Sequence, residues 1–210
     1  MKRFPWMVPL ACLALLSFLA QSCLQATHRS TVGRDSYVAS ITRDTYPSKA
    51  SKGYSTPPAA YPVGAGQGAL RYRELIRQKA ARYNVDYYLL LAIVQAESGG
   101  NPRAVSQDNC RGLTQLHIRT AREYMPTVTP EQLHDPEINL EIAARHMKRV
   151  RMLVRKYFPH AGLEQRVVLI AAAWNAGWSR VRNAGGVPNL YETKVFTRRV
   201  LQYYRKYRWG

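Results

Sequence analysis

From Ala69 to Gly210 the apolar residues return every three or four positions, and no convincing run of apolar–polar alternation interrupts them. A chain with that period hides its apolar side by packing helices together, because a strand needs a period of two. The 142 residues of this stretch are enough to bury about two thirds of their unfolded surface around one core. The expected fold class is therefore all-α, a compact globule of six or seven helices. Leu70 to Tyr83 reads as amphipathic, Asn84-Val85-Asp86 resets the chain, and Asp86 is placed to cap a second helix, Tyr87 to Ser98. That helix stops at Gly99-Gly100-Asn101-Pro102. A third should follow Gly112 and run to about Tyr124, ahead of Pro126. Pro136 suits the first turn of a long helix reaching Phe158. Leu163 to Asn175 is an apolar helix ended by Gly177, a short turn follows around Ser179 to Asn183, and Tyr191 to Arg208 forms the last helix.

The segment before this block reads differently. Lys2 and Arg3 precede an apolar run of 13 residues, Val8 to Ala20, and Ala20-Gln21-Ser22 then offers small residues around a cleavage point before Cys23. This is the pattern of a secretory signal, residues 1–22, too short for the about 20 residues that span a bilayer. Leu19-Ala20-Gln21-Ser22-Cys23 also resembles a bacterial lipobox, which makes Cys23 a candidate for acylation and the protein an exported, periplasmic, membrane-anchored lipoprotein. Plain cleavage between Ser22 and Cys23 fits the same residues. Residues 23–68, rich in Ser, Thr, Ala, Pro and Gly, read as a flexible tether.

Charge narrows the partner. The chain carries 31 Lys and Arg against 13 Asp and Glu, a formal net charge of +18. That favours an anionic partner: nucleic acid, acidic lipid or an acidic polymer such as cell wall. Three cysteines are too few for a disulfide scaffold, and neither C-x-x-C nor H-E-x-x-H occurs, so no metal site or cofactor is expected.

Glu97 is the residue with the clearest chemical meaning. Leu90, Ile93, Val94 and Glu97 fall at i, i+3, i+4 and i+7, so a carboxyl group continues a buried apolar stripe. It also lies in the last helical turn, where the negative end of the dipole opposes ionisation. Desolvation acts in the same direction. A glutamate at about 4.3 is protonated in about 1 part in 500 at pH 7, and one raised to about 6 in about 1 part in 10. A general acid for glycoside cleavage uses that gain. Spacing alone equally allows a glutamate that turns to solvent or pairs with an arginine.

Four motifs surround it in order. Glu97-Ser98-Gly99-Gly100-Asn101-Pro102-Arg103-Ala104-Val105-Ser106 is followed by Gly112-Leu113-Thr114-Gln115-Leu116, by Ala173-Trp174-Asn175-Ala176-Gly177, and by Glu192-Thr193-Lys194-Val195-Phe196 with Val200. Together they resemble the E-S-x-x-N-P-x-A-V-S, G-L-M-Q-L, A-Y-N-A-G and E-T-x-x-Y-V-x-x-V segments of the soluble lytic transglycosylase (SLT) family, relatives of goose-type lysozyme. The resemblance implies a lysozyme-like domain over 69–210 that acts on peptidoglycan glycan strands. It implies cleavage of the β-1,4 bond between N-acetylmuramic acid and N-acetylglucosamine with Glu97 as acid and then base, giving 1,6-anhydro products. Ser98, Gln115, His117, Trp174, Asn175 and Glu192 are implied to bind substrate or support the cleft.

Several positions depart from the pattern. Thr114 and His117 stand where methionine is common, and Trp174 and Phe196 replace tyrosines. Cys110 reads as a packed thiol with no base beside it. Asp108, eleven residues after Glu97, is either a second carboxylate for an inverting hydrolase or a loop aspartate capping the next helix. Other readings stay open: a lysozyme-type hydrolase, or a catalytically weak wall-binding protein. Nucleic-acid binding through Tyr203, Tyr204, Tyr207 and Trp209 is not expected in an exported chain. No oligomer is expected.

Overall fold

A computed structural model describes residues 68–210; the expected signal, Cys23 and the tether lie outside the described residues. Among the described residues there are seven α-helices: α1 Arg73–Tyr83, α2 Tyr87–Ser98, α3 Ile118–Arg122, α4 Pro136–Tyr157, α5 Leu163–Ala176, α6 Trp178–Asn183 and α7 Tyr191–Trp209. Two 3-10 turns, Gly68–Tyr72 and Glu131–His134, complete the described regular structure. The all-α expectation holds.

The middle of the molecule is α2 and α5. Every residue from Leu89 to Val94 is buried, and so is every residue from Val167 to Ala173. Both helices are apolar nearly all round because both are surrounded, the pattern of a core helix. The last helix, α7, packs against both, and α4 packs against α5 on one side and α1 on the other. Polar ties register the layers. Asp86 caps α2 by accepting from Leu89 N (3.1 Å), and its other oxygen accepts from the Tyr204 hydroxyl of α7 (3.1 Å). Arg205 of α7 donates two hydrogen bonds, at 2.7 and 2.6 Å, to Glu164 in the first turn of α5. Lys79 of α1, 6% exposed, is anchored by Glu137 and Glu141 of α4.

One helix differs from expectation. The stretch after Gly112 does not enter a helix until Ile118. Residues 105–116 instead form two isolated antiparallel pairings, Val105 with Arg111 and Arg111 with Leu116. Asn139, fully buried on α4, dictates this. Its Nδ2 donates to the Arg111 and Leu133 carbonyls (3.1 and 2.9 Å), while Oδ1 accepts from Thr114 N and Oγ1 (3.1 and 2.7 Å). All four bonding positions of the amide are filled. Gly112 makes the close approach possible: at φ +79°, an added Cβ would stand 2.0 Å from the Leu133 carbonyl oxygen. A second apolar cluster of Leu116, Ala121, Val128, Leu133 and Ile142 lies under this lobe, with Tyr124 and Trp174 against it.

Candidate active site

Glu97 reaches its place because α2 runs apolar to its last turn and then stops. Gly99, at φ +62° with its N–H on the Gln95 carbonyl, takes the left-handed conformation that ends the helix. The carboxyl therefore stands where the buried helix meets the loop after it. A cleft of about 630 Å³ opens there, lined by Glu97, Gln115, His117, Trp174, Asn175 and Glu192 among others. One wall is the α2 end and the loop after it, and the opposite wall is the α5–α6 junction with the start of α7.

Glu97 is half-buried, and its pKa is raised to about 8. Desolvation is the largest cause; the charge of Arg199 and a hydrogen bond from Trp174 oppose it without winning. About nine tenths of the carboxyls are then neutral at pH 7. Arg199 is itself engaged, donating to the Ala96 carbonyl at the end of α2 (3.2 Å). Trp174 matters here beyond its ring face: where a phenol was lost from the motif, the indole supplies a hydrogen bond to the acid.

The remaining motif residues divide by how their polar atoms are used. Gln115, held at φ +47°, donates through Nε2 to the Ala104 and Gly112 carbonyls (3.2 and 3.1 Å). Its amide is thereby part of the loop's scaffold as well as the cleft wall. Asn175 accepts from the buried Thr193 hydroxyl (2.7 Å), which fixes the amide so that its nitrogen is the end left to donate. His117 lines the cleft and also caps α3, its Nδ1 accepting from Arg119 N (3.2 Å). Glu192 is exposed at the rim, in the first turn of α7.

Ser98 is the residue that the structure moves out of the site. It does not line the cleft. Its hydroxyl donates to the Leu113 carbonyl (2.7 Å) and accepts from Gly100 N (3.1 Å), so it ties the end of α2 to the second motif. Asp108 does line the cleft, and the cap of the following helix is His117 instead. Cys110 also lines it; burial pushes its thiol up, the Ser106 hydrogen bond opposes this, and the Glu97 and Asp108 charges push it further up. A thiol held protonated is a poor nucleophile. Phe196 is buried in the core, 7% exposed.

Two contributors escape a reading by motif. Arg199 falls in a basic pair, Arg198-Arg199, between Phe196 and Val200 of the last motif, where charge reads as a solvated face. His146, in the cleft wall, sits edge-on to Trp174 with centroids 5.0 Å apart. Its position on α4, four residues after Ile142, three after Ala143 and four before Val150, places it on the buried stripe, and that periodicity was the available signal. Among the described residues no group of three His, Cys, Asp or Glu side chains is placed to hold a metal ion.

Comparison with known proteins bears on the fold and the family. The fold matches an inactive mutant of the lytic transglycosylase Slt from Pseudomonas aeruginosa, at 24% identity and a TM-score of 0.53, over 66% of this chain and 24% of that one. It matches the 70 kDa soluble lytic transglycosylase from Escherichia coli at 25% identity and a TM-score of 0.52, over 65% and 24% of the two chains. A 70-kDa soluble lytic transglycosylase in complex with bulgecin A matches at 26% identity and 0.56, over 67% and 24%. The chain thus spans about a quarter of the length of these structures. The model of the Transglycosylase SLT domain family matches residues 74–196, from α1 into α7, across the first three motifs and into the fourth. The chain belongs to the Transglycosylase SLT domain family.

Proposed function

We propose that this protein is a peptidoglycan lytic transglycosylase that cleaves the β-1,4 bond between N-acetylmuramic acid and N-acetylglucosamine. The observation that carries the reading is a glutamate kept neutral by burial, opening into a cleft lined by amides and an indole. Glu97 donates its proton to the glycosidic oxygen as that bond breaks, and positive charge develops on the muramyl anomeric carbon. The new carboxylate is held by Arg199 and Trp174, the same two groups that favour its charged form. It then takes the proton of the muramyl 6-hydroxyl, whose oxygen closes on the anomeric carbon. Glu97 ends protonated, the product is a 1,6-anhydro sugar, and no water is consumed. Gln115, Asn175 and His117 hold hydroxyl and acetamido groups, Trp174 provides a ring face, and Glu192 supports the rim. The net charge of the 69–210 domain is +13, from 24 basic and 11 acidic residues, and favours retention on a wall whose stem peptides carry carboxylates.

Export and anchoring belong to the same proposal: residues 1–22 direct secretion, Cys23 is acylated, and 23–68 lets a monomeric catalytic domain reach the wall from the membrane surface. Labelled fatty acid incorporated into wild type and absent from Cys23→Ala supports the anchor. Mass analysis of sugars released from purified peptidoglycan tests the reaction. Anhydromuramyl products from residues 24–210, absent with Glu97→Gln, support it.

A second reading has one observation behind it: Asp108 lines the same cleft. Reducing-end products lost in both Glu97→Gln and Asp108→Asn would mark a hydrolase instead. Binding to the wall without release would leave a wall-binding protein.

A further inference from the structure

Behind the cleft, a directed chain of contacts leads from the surface to Glu97. It begins at an ion pair between Arg149 Nη1 and Glu123 Oε2, 2.5 Å apart. Arg149 also hydrogen-bonds to the Tyr124 hydroxyl. A guanidinium only donates, so the phenolic oxygen accepts there and its own hydrogen is left for His146 Nδ1, 3.0 Å away. In that arrangement Nδ1 accepts and a neutral His146 carries its proton on Nε2. The imidazole lies edge-on between two rings: Tyr124 at 5.6 Å and 73°, and Trp174 at 5.0 Å and 66°. Trp174 in turn hydrogen-bonds to the Glu97 carboxyl.

We propose that His146 is a positioning residue for the reaction: locked in one tautomer by Tyr124, it holds the Trp174 indole against the carboxyl of Glu97. The proposal rests on the reading of Glu97 as acid and base. An indole ring with a free side would rock about its side-chain torsions, and the hydrogen bond to the acid would weaken with it. His146 touches Trp174 rather than the sugar's reacting atoms, so it works through its neighbour. The neutral state that the arrangement needs is supplied by burial, which pushes His146 to about 4; Glu123 opposes the shift and Arg149 adds to it. Arg145 closes the same side, donating to the Tyr124 carbonyl (2.6 Å). Around Glu97 the other charged or titratable groups are Arg199 from α7, the Cys110 thiol from the loop, and Asp108, His117, Arg180, Tyr191 and Glu192 along the cleft.

The test uses the protein carrying residues 24–210 as wild type, His146→Leu and Tyr124→Phe. Three quantities are read: the Glu97 carboxyl titration by ¹³C NMR, the Trp174 indole N–H resonance, and the pH profile of wall cleavage. A hydrogen bond to the carboxylate lowers its pKa, so losing it raises the pKa. In His146→Leu we expect the Glu97 titration to rise by about one pH unit, the scale of one charge-assisted bond, with the alkaline limb of cleavage moving the same way. The indole resonance should shift and kcat should fall about tenfold while KM stays within about twofold, the signature of an interaction felt in the transition state. Tyr124→Phe should move the titration in the same direction by less. A folded His146→Leu with unchanged titration and indole resonance overturns the proposal. If His146→Leu does not fold, Tyr124→Phe, which removes one oxygen, decides by the same titration. Should wild type release no anhydro sugar, the functional reading fails separately, and the NMR titration still reports whether His146 sets the Trp174–Glu97 contact.

Discussion

Replacing Glu97 with glutamine should make the protein more stable, and only where the pH is high enough. The folded protein holds the Glu97 carboxyl at about 8, against 4.5 for a glutamate in an unfolded chain. An acid whose folded pKa lies above its unfolded one binds its proton more tightly in the folded state. That contribution is fully present below about 4.5 and is lost as pH rises toward 8. The shift corresponds to an upper bound of about 5 kcal/mol, at 1.36 kcal/mol per pH unit. Because Glu97 is half-buried and faces an open cleft, screening reduces this, and about 2 kcal/mol is the working expectation. Glutamine keeps the shape and never ionises. The variant should therefore match wild type at pH 4 and melt about 6 °C higher at pH 9. Thermal unfolding followed by circular dichroism at half-unit pH steps measures it. A constant difference across that range, or one that shrinks with pH, would refute the burial argument on which the catalytic reading stands.

Three further substitutions probe the frame. Gly112→Ala should cost about 4 kcal/mol or prevent folding, since its Cβ would meet the Leu133 carbonyl oxygen at 2.0 Å and Asn139 Nδ2 at 2.3 Å in a left-handed backbone; urea unfolding reads it. Asp86→Ala should cost about 2 kcal/mol, because one carboxylate caps α2 and accepts from Tyr204; a loss below about 0.5 kcal/mol would mean that the cap is idle. Lys79→Met should cost about 2 kcal/mol by leaving Glu137 and Glu141 without their shared cation, and adding Glu141→Gln should return part of it in a double-mutant cycle.

What the chain declares in advance and what it conceals follow from the range of the forces. Helix α2 is readable to the residue because its limits are local: Asp86 caps it, an apolar run fills it and Gly99 ends it. Helix α4 is readable for the same reason, with Pro136 in its first turn. The short α3 is not. The residues after Gly112 carry apolar spacing, yet Asn139, 25 positions beyond Thr114, takes over their backbone partners and prevents the helix from starting earlier. Thr114 makes sense only once Asn139 is known, since its hydroxyl completes that amide's set. In the site, Glu97 and Trp174 were visible by stripe and motif, whereas Ser98 lies in a motif but spends its hydroxyl on the chain. His146 hides in a run of arginines, where the charges around it suggest a solvated face and the period of the helix says otherwise.

The pairing of α2 with α7 has a consequence for the order in which the protein can be made. Arg199 meets Ala96 across 103 residues and Tyr204 meets Asp86 across 118, so the helix that bears Glu97 finds its cover only after a long loop has closed. Closing that loop is slow relative to forming local helices, and a chain delivered from its N-terminus holds the α2 surface uncovered until α7 arrives. Until then Glu192 is absent from the cleft and the charge of Arg199 from the end of α2. The last helix is thus an assembly checkpoint: a chain still emerging carries the acid without the wall that completes its site.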